Sequence, residues 1–289
     1  MKEEPVVFDC YAEPLVGIIH EPEKPMTTGV IIIVAGGPQY RVGAHRQFVT
    51  LSRLLSSQGV PVLRFDHRGT GDSSGEYRGF IDMDDDIESA IEILFAKFPQ
   101  LEQVALWGEC ESASAAAFYA HNDARVSGIF MVNPWIRTQA GQAKTYLKHY
   151  YWNRLKDPQF WKKIGSGQFS FIYSLKAYIQ LRYHARKKQP DNNSKQDSLA
   201  ELPLPERLTK SLQLFNGKLF ILTSGNDYIA QEFKDFMKIS ELWRQSGLDK
   251  KVTFQEIQDA DHTFSRTEWR SELFNQTVKW LTTTTSSSY

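Results

Sequence analysis

Residues 103–112 read Gln-Val-Ala-Leu-Trp-Gly-Glu-Cys-Glu-Ser, and they are the strongest indication of the fold in the sequence. Its first five residues predict a buried strand, and the small residues that start at Ala113 predict a helix. A sharp turn between strand and helix lifts its central side chain, Cys110, above the edge of a sheet. The residues two positions away on each side must be small, because strand and helix pack closely there. Gly108 and Ser112 meet that demand, although Ser112 is bulkier than glycine and is expected to distort the turn slightly.

Strands and helices alternate along the rest of the chain, which predicts a mostly parallel sheet with helices on both faces. The predicted strands are Pro5–Asp9, Leu15–His20, Gly29–Ala35, Val60–Asp66, Gln103–Trp107, Gly128–Val132, Lys218–Thr223 and Lys251–Ile257. The predicted helices are Phe48–Leu55, Met83–Lys97, Ala113–His121, Ala230–Gln245 and Arg266–Leu281. The sequence therefore predicts an α/β fold.

Composition excludes several classes of protein. The chain has 289 residues with 41% hydrophobic content, 34 basic and 34 acidic residues, and two cysteines. A net charge of zero argues against nucleic acid as a partner, and two cysteines exclude a disulfide scaffold and a four-cysteine zinc site. The N-terminus lacks the pattern of a cleaved signal, and no uninterrupted apolar run approaches about 18 residues, so we expect a cytoplasmic protein.

Segment 134–214 has a different character from the rest of the chain. Residues 141–189 within it carry 11 Lys or Arg against one acidic residue, and 11 of the 37 aromatic residues. We predict that 1–133 and 215–289 form the core and that 134–214 is an inserted helical lid over the active site. Its aromatic residues would pack it onto the core, and its basic residues would face the acidic core, an anionic substrate or a membrane surface.

The turn at Cys110 predicts a nucleophilic cysteine. A helix N-terminus favours a thiolate, whereas ionised Glu109 and Glu111 would oppose it. A buried cysteine with only a packing role is the alternative, and a nucleophile at Ser112 is a second one.

Two further residues complete a catalytic triad in this interpretation. His262 follows the last predicted strand and would act as the general base, and Asp227 follows the preceding strand and would orient it. The alternatives are a loop histidine paired with a neighbouring carboxylate and, for Asp227, a helix N-cap. Asp261 is a poor substitute, because a residue adjacent to His262 seldom points at the same imidazole.

An oxyanion hole needs two backbone N–H groups. We predict those of Glu111, directly after the nucleophile, and of Gly37, in the loop after the strand Gly29–Ala35. Gln39, His45 and Arg46 follow in the same loop and are candidate substrate-binding residues, with Arg46 suited to a carboxylate or phosphate.

Two motifs resemble known families. Residues 66–73, Asp-His-Arg-Gly-Thr-Gly-Asp-Ser, resemble the Asp-x-Arg-Gly-x-Gly-x-Ser loop of many α/β-hydrolases, where it braces the loops near the nucleophile. The order Cys110, Asp227, His262 is the order of that fold. Residues 36–46, Gly-Gly-Pro-Gln-Tyr-Arg-Val-Gly-Ala-His-Arg, combined with a cysteine turn, resemble the type 1 hydrolases associated with the exosortase A system. That resemblance implies an α/β-hydrolase with a cysteine nucleophile, as in dienelactone hydrolases, encoded in bacterial exopolysaccharide and protein-sorting loci.

The sequence thus predicts hydrolysis of an ester or thioester of a small acyl substrate through an acyl-cysteine intermediate. No metal or organic cofactor is implied. Two alternatives stay open: acyl transfer to a sugar or lipid hydroxyl, and a non-catalytic protein that uses the fold to bind a ligand.

Overall fold

An eight-stranded sheet forms the centre of the protein in a computed structural model that describes residues 1–34, 40–137 and 199–285. The strands are β1 Lys2–Cys10, β2 Glu13–Glu21, β3 Thr28–Ile33, β4 Val62–Asp66, β5 Gln103–Glu109, β6 Val126–Val132, β7 Lys218–Ser224 and β8 Val252–Ile257. Their order across the sheet is β1-β2-β4-β3-β5-β6-β7-β8. The pairs β1–β2 and β2–β4 are antiparallel, and every other neighbouring pair is parallel. The carboxyl ends of β5 to β8 therefore meet at one edge, where the functional side chains lie.

Helices cover both faces of the sheet. They are α1 Gln47–Ser57, α2 Asp84–Lys97, α3 Glu111–Ala120, α4 Leu204–Leu214, α5 Tyr228–Ile239, α6 Glu241–Gln245, α7 Leu248–Lys251 and α8 Thr267–Thr285, with 3₁₀ turns at Ala44–Arg46, Phe80–Asp82 and Leu199–Glu201. Apolar residues of α1 and α8 pack on one face, and those of α2 to α5 pack on the other. The prediction of a mostly parallel sheet with helices on both faces is confirmed.

One helical region differs from the sequence predictions, and one lies in the predicted lid. The helix predicted over Ala230–Gln245 is broken at Ser240, whose extended backbone ends α5 and whose hydroxyl accepts a hydrogen bond from the Trp243 amide at the start of α6. α4 belongs to the segment predicted as a lid, but Leu208 and Leu212 are fully buried in the same apolar cluster as α3. Residues 138–198, the greater part of the predicted lid, lie outside the described residues. None of the described helices is long and apolar enough to cross a membrane.

Candidate active site

The turn between β5 and α3 places Cys110 in a strained conformation. Its φ of 61° and ψ of −122° are rare for a residue with a side chain, and it is partly exposed. A Cβ on Gly108 would lie 2.5 Å from the carbonyl oxygen of Ser112, so the residue two before Cys110 must be glycine. The geometry is that of a nucleophile elbow.

Ser112 closes this turn instead of distorting it. Its hydroxyl accepts a hydrogen bond from the Glu109 amide and donates one to the Glu109 carbonyl, each 2.8 Å long. The hydroxyl is buried, and its proton is committed to the backbone, which leaves Cys110 as the side chain raised above the sheet. The backbone of Cys110 is held by its neighbour strand, because its amide donates to Val132 at 2.8 Å and its carbonyl accepts from the Trp135 amide at 3.3 Å.

His262 and Asp227 lie together above the ends of β7 and β8. The His262 Nδ1 and the Asp227 Oδ2 are 2.8 Å apart, and the same imidazole lies close enough to the side chain of Cys110 for Cys110 to raise the pKa of His262. Asp227 is also the N-cap of α5, because its two carboxylate oxygens accept from the amides of Ile229 and Ala230. The two interpretations of Asp227, orienting acid and helix cap, are therefore compatible in one side chain. Asp261 instead accepts hydrogen bonds from Ser265.

The charges of these groups follow from their surroundings. Burial lowers the pKa of His262, but hydrogen bonds and charge interactions with Asp227 and Cys110 outweigh it and raise the pKa to about 11. Burial raises the pKa of Asp227, but the hydrogen bonds from His262, Ala230 and Ile229 leave that pKa below its ordinary value. At neutral pH an imidazolium thus lies between a carboxylate and a sulfur.

The carboxyl group of Glu109 lies beneath the turn and is buried. Burial raises the pKa of Glu109 to about 7, against the smaller opposing effects of His262 and a hydrogen bond from the Gln47 amide. Its other oxygen, Oε1, has no hydrogen-bond partner among the described residues, and neither has Oε1 of Gln47. Burial also raises the pKa of Glu111. Both carboxyls are therefore poorer anions than the sequence implied, which weakens their opposition to a thiolate.

The remaining predicted site residues are only partly described. Glu111 is the first residue of α3, and the first amides of a helix have no partner inside it, which suits its predicted role in an oxyanion hole. His45 and Arg46 both have left-handed backbones, with φ of 52° and 59°, and His45 Nε2 lies 3.4 Å from the hydroxyl of Thr263, next to His262. Gly37 and Gln39 lie outside the described residues.

The loop 66–73 braces this edge of the sheet, as its motif predicts. The carboxylate of Asp66 accepts hydrogen bonds from the Arg41 amide at 2.6 Å and from the Arg41 guanidinium, so it ties the loop before α1 to β4. A Cβ on Gly71, where φ is 53°, would lie 2.1 Å from that carboxylate. The Ser73 hydroxyl donates to the Asp66 carbonyl and accepts from the Val16 amide, which joins the loop to β2.

Sequence reasoning missed two residues that contact this site. Gln47, at the start of α1, donates to Glu109, and the side chain of Asn133, directly after β6, joins Ser224 to the carbonyl of His262. A polar residue directly after the apolar run Gly128–Val132 was the available signal for Asn133. Within the described ranges, no group of three or more His, Cys, Asp or Glu residues could hold a metal ion.

Comparisons with known proteins agree with the fold. The sequence matches the family Hydrolase_4, described as serine aminopeptidase, S33, over residues 27–263. No curated protein matches it.

Solved structures share the fold at low identity. An esterase of Pyrococcus furiosus is 15% identical with a TM-score of 0.63, over 97% of this chain and 90% of that one. A putative α/β-hydrolase of Agrobacterium tumefaciens is 14% identical with a TM-score of 0.58, over 99% and 98%. An α/β serine hydrolase homologue from Coxiella burnetii is 16% identical with a TM-score of 0.58, over 97% and 98%. With its family match across most of the sequence, the chain belongs to the Hydrolase_4 family and has the α/β-hydrolase fold.

Proposed function

We propose that the protein hydrolyses an ester or thioester, with Cys110 as the nucleophile, His262 as the proton carrier and Asp227 as the orienting acid. One observation carries the proposal: the imidazole of His262 is hydrogen-bonded to Asp227 and lies close enough to Cys110, at the apex of the strained turn, for the two side chains to interact. The family is described as serine aminopeptidases, and the P. furiosus neighbour is named an esterase. A cysteine at the turn departs from a serine hydrolase and favours an acyl-sulfur intermediate.

We infer that the Cys110–His262 pair reacts with its proton on the imidazole, because the thiolate is the nucleophilic form of a cysteine. The sulfur attacks the carbonyl carbon, and the amides of Glu111 and Gly37 stabilise the oxyanion. When the intermediate collapses, the bond to the leaving alcohol or thiol breaks and His262 donates its proton to that group. Water then attacks the acyl-cysteine while His262 takes a proton from it. Release of the carboxylic acid restores the thiolate and the imidazolium.

We also infer that the acyl substrate carries an anionic group. His45 and Arg46 lie in the 3₁₀ turn directly before α1, and the His45 imidazole lies 3.4 Å from the hydroxyl of Thr263, in the loop of His262. Gln39 precedes them in the sequence, and the basic residues of segment 134–214 add positive charge to a lid or to a membrane-facing surface. The resemblance to exosortase-associated hydrolases suggests a substrate of bacterial exopolysaccharide metabolism, and we place the reaction in the cytoplasm.

Acyl-enzyme trapping tests this proposal. The intact mass of the protein is measured after brief incubation with p-nitrophenyl acetate and with a short-chain acyl thioester, and the adduct is mapped by peptide mass spectrometry. We expect acylation at Cys110, and we expect C110A to lower kcat/KM by about 10⁴-fold or more. C10A is the matched control, because Cys10 is the other cysteine and is buried in the core.

Three results would overturn or redirect the proposal. An adduct on Ser112 would refute the cysteine nucleophile. Equal inertness of wild type and C110A across the panel would favour a ligand-binding protein. Formation of a new ester when an alcohol is added, with little free acid, would favour acyl transfer over hydrolysis.

A further inference from the structure

A single asparagine lies where the loops of the three catalytic groups meet. Asn133 follows β6 directly, is fully buried, and has a left-handed φ of 47°. Its own amide donates to the carbonyl of Leu222 at 2.9 Å, which continues the pairing of β6 with β7. A buried amide side chain must find partners for both its donor and its acceptor, so its contacts define what it holds together.

The side chain of Asn133 spans two neighbouring loops. Its Oδ1 accepts from the amide and the hydroxyl of Ser224 at 2.8 and 3.1 Å, and its Nδ2 donates to the backbone carbonyl of His262 at 3.2 Å. Ser224 ends β7 three residues before Asp227, so one amide group connects the loop of the acid with the backbone of the histidine. These contacts join residues 91 and 129 positions apart in the sequence.

The residues on either side of Asn133 hold the backbone of Cys110. Val132, on one side, accepts the hydrogen bond from the Cys110 amide, and Trp135, on the other, donates to the Cys110 carbonyl. The Ser114 hydroxyl of α3 donates to the Trp135 carbonyl at 2.6 Å, which fixes this strand end to the helix that starts at the turn. Backbone contacts thus set Cys110 relative to Asn133, and side-chain contacts set His262 and Ser224 relative to it.

We propose that Asn133 is a positioning residue that holds the His262 imidazole in register with both Cys110 and Asp227. This inference rests on the proposed triad and adds a residue that touches none of the reacting atoms. Without the Nδ2 donor, the His262 carbonyl loses a buried partner and the loop 258–264 loses its tie to β6. A displacement of the imidazole by about 1 Å is enough to cost about 100-fold in rate.

Two substitutions separate positioning from folding. N133G keeps the left-handed backbone, which glycine adopts freely, and removes the whole side chain. N133D also tolerates that backbone and keeps an acceptor for Ser224, but it replaces the donor to His262 with a carboxylate oxygen that repels the carbonyl. T277V is the matched control, because it removes another buried hydrogen bond, to the indole of Trp107, and leaves the triad contacts intact.

The first readout needs no substrate. The rate of Cys110 alkylation by iodoacetamide is followed by mass spectrometry at pH 6 and pH 9. We expect the wild-type protein, with the imidazole held beside Cys110, to be alkylated at comparable rates at pH 6 and pH 9. We expect N133G and N133D to lower the rate at pH 6 by about tenfold relative to the rate at pH 9, and T277V to leave the ratio of the two rates unchanged.

The second readout is the hydrolysis of p-nitrophenyl acetate. We expect kcat to fall by about 10- to 100-fold in both Asn133 variants, with KM within about twofold of the wild type. A wild-type alkylation ratio and kcat in a folded N133D would overturn the positioning role, as would equal losses in T277V. If the wild type hydrolyses no ester, the proposed function fails, and the alkylation ratio still decides the role of Asn133.

Discussion

Two carboxyl groups, those of Asp227 and Glu109, interact with His262 from different elements, and their pKa values are shifted in opposite directions. Asp227, after β7, accepts hydrogen bonds from the imidazole and from two amides at the start of α5, and its pKa is lowered. Glu109, at the end of β5, accepts one hydrogen bond from Gln47 and leaves an oxygen unpartnered among the described residues, and burial raises its pKa to about 7. The number of donors, more than burial itself, distinguishes the two groups.

The charge at neutral pH determines which carboxyl group can stabilise a catalytic histidine. A carboxylate that keeps its charge can stabilise an imidazolium throughout the reaction, whereas one that accepts a proton near neutral pH cannot do so reliably. Glu109 lies one residue from Cys110 in the sequence, yet it is Asp227, 117 positions further on, that has the properties of a triad acid.

Neutralising Asp227 is the strongest test of this comparison. We expect D227N to lower kcat for p-nitrophenyl acetate by about 10³–10⁴-fold, because asparagine can neither stabilise the imidazolium nor hold the same tautomer. Asparagine is a good N-cap, so α5 keeps its cap in this variant, and a fall in the free energy of unfolding in urea would report the lost pair between Asp227 and the His262 imidazolium. A loss of activity below about tenfold would mean that Asp227 serves α5 and not catalysis.

Neutralising Glu109 should instead raise stability in a pH-dependent way. The carboxyl has an ordinary pKa of 4.5 and a folded-state pKa of about 7. Below pH 4.5 it is protonated in both states, and above pH 7 its buried charge destabilises the folded state. As the pH rises from 4.5 to 7, the free energy of unfolding of the wild type should fall by on the order of 3 kcal/mol relative to that of E109Q. The amide introduced by E109Q would also supply a donor for the unpartnered Oε1 of Gln47.

Urea unfolding of wild type and E109Q at pH 5, 6, 7 and 8 measures this difference. His262 stays protonated and Asp227 and Asp261 stay ionised over that range, because the pKa of His262 is about 11 and those of both aspartates are lowered, so their charges on Glu109 are constant. E111Q is the control, because Glu111 is only half-buried and should show a smaller change. Parallel curves for wild type and E109Q would show that Glu109 does not titrate near pH 7.

The sequence predicted the sheet well because its strands are apolar runs bounded by turn residues. All eight strands lie within a few residues of their predicted positions. The break at Ser240 was missed because the apolar spacing continues across it and only the capping hydroxyl marks the new helix. α4 falls in the segment that was predicted to be a lid from its position between two strands, and its Leu208 and Leu212 have the spacing of a buried helix face.

The residues of the site that lie just after the ends of strands were predictable from the sequence. Cys110, Asp227 and His262 each follow a strand, and parallel strands bring their carboxyl ends to one edge. The residues that contact the site were not predictable. Gln47 and Glu109 are 62 positions apart, and no spacing in the sequence predicts their hydrogen bond. The pKa of Glu109 depends on how many hydrogen-bond donors reach its carboxyl oxygens, and that number is known only once the structure is known.

The smallest expected effect isolates the second role of Asp227. D227A and D227N both remove the charge that faces His262, so the difference between them reports the hydrogen bonds that an amide oxygen at this position still accepts, chiefly those of the N-cap. We expect the free energy of unfolding of D227A to lie about 1 kcal/mol below that of D227N, because alanine accepts no hydrogen bond from the amides of Ile229 and Ala230. Urea titration at pH 7 measures both. Equal stability would mean that water satisfies those amides, and the donors that separate Asp227 from Glu109 would then come from His262 alone.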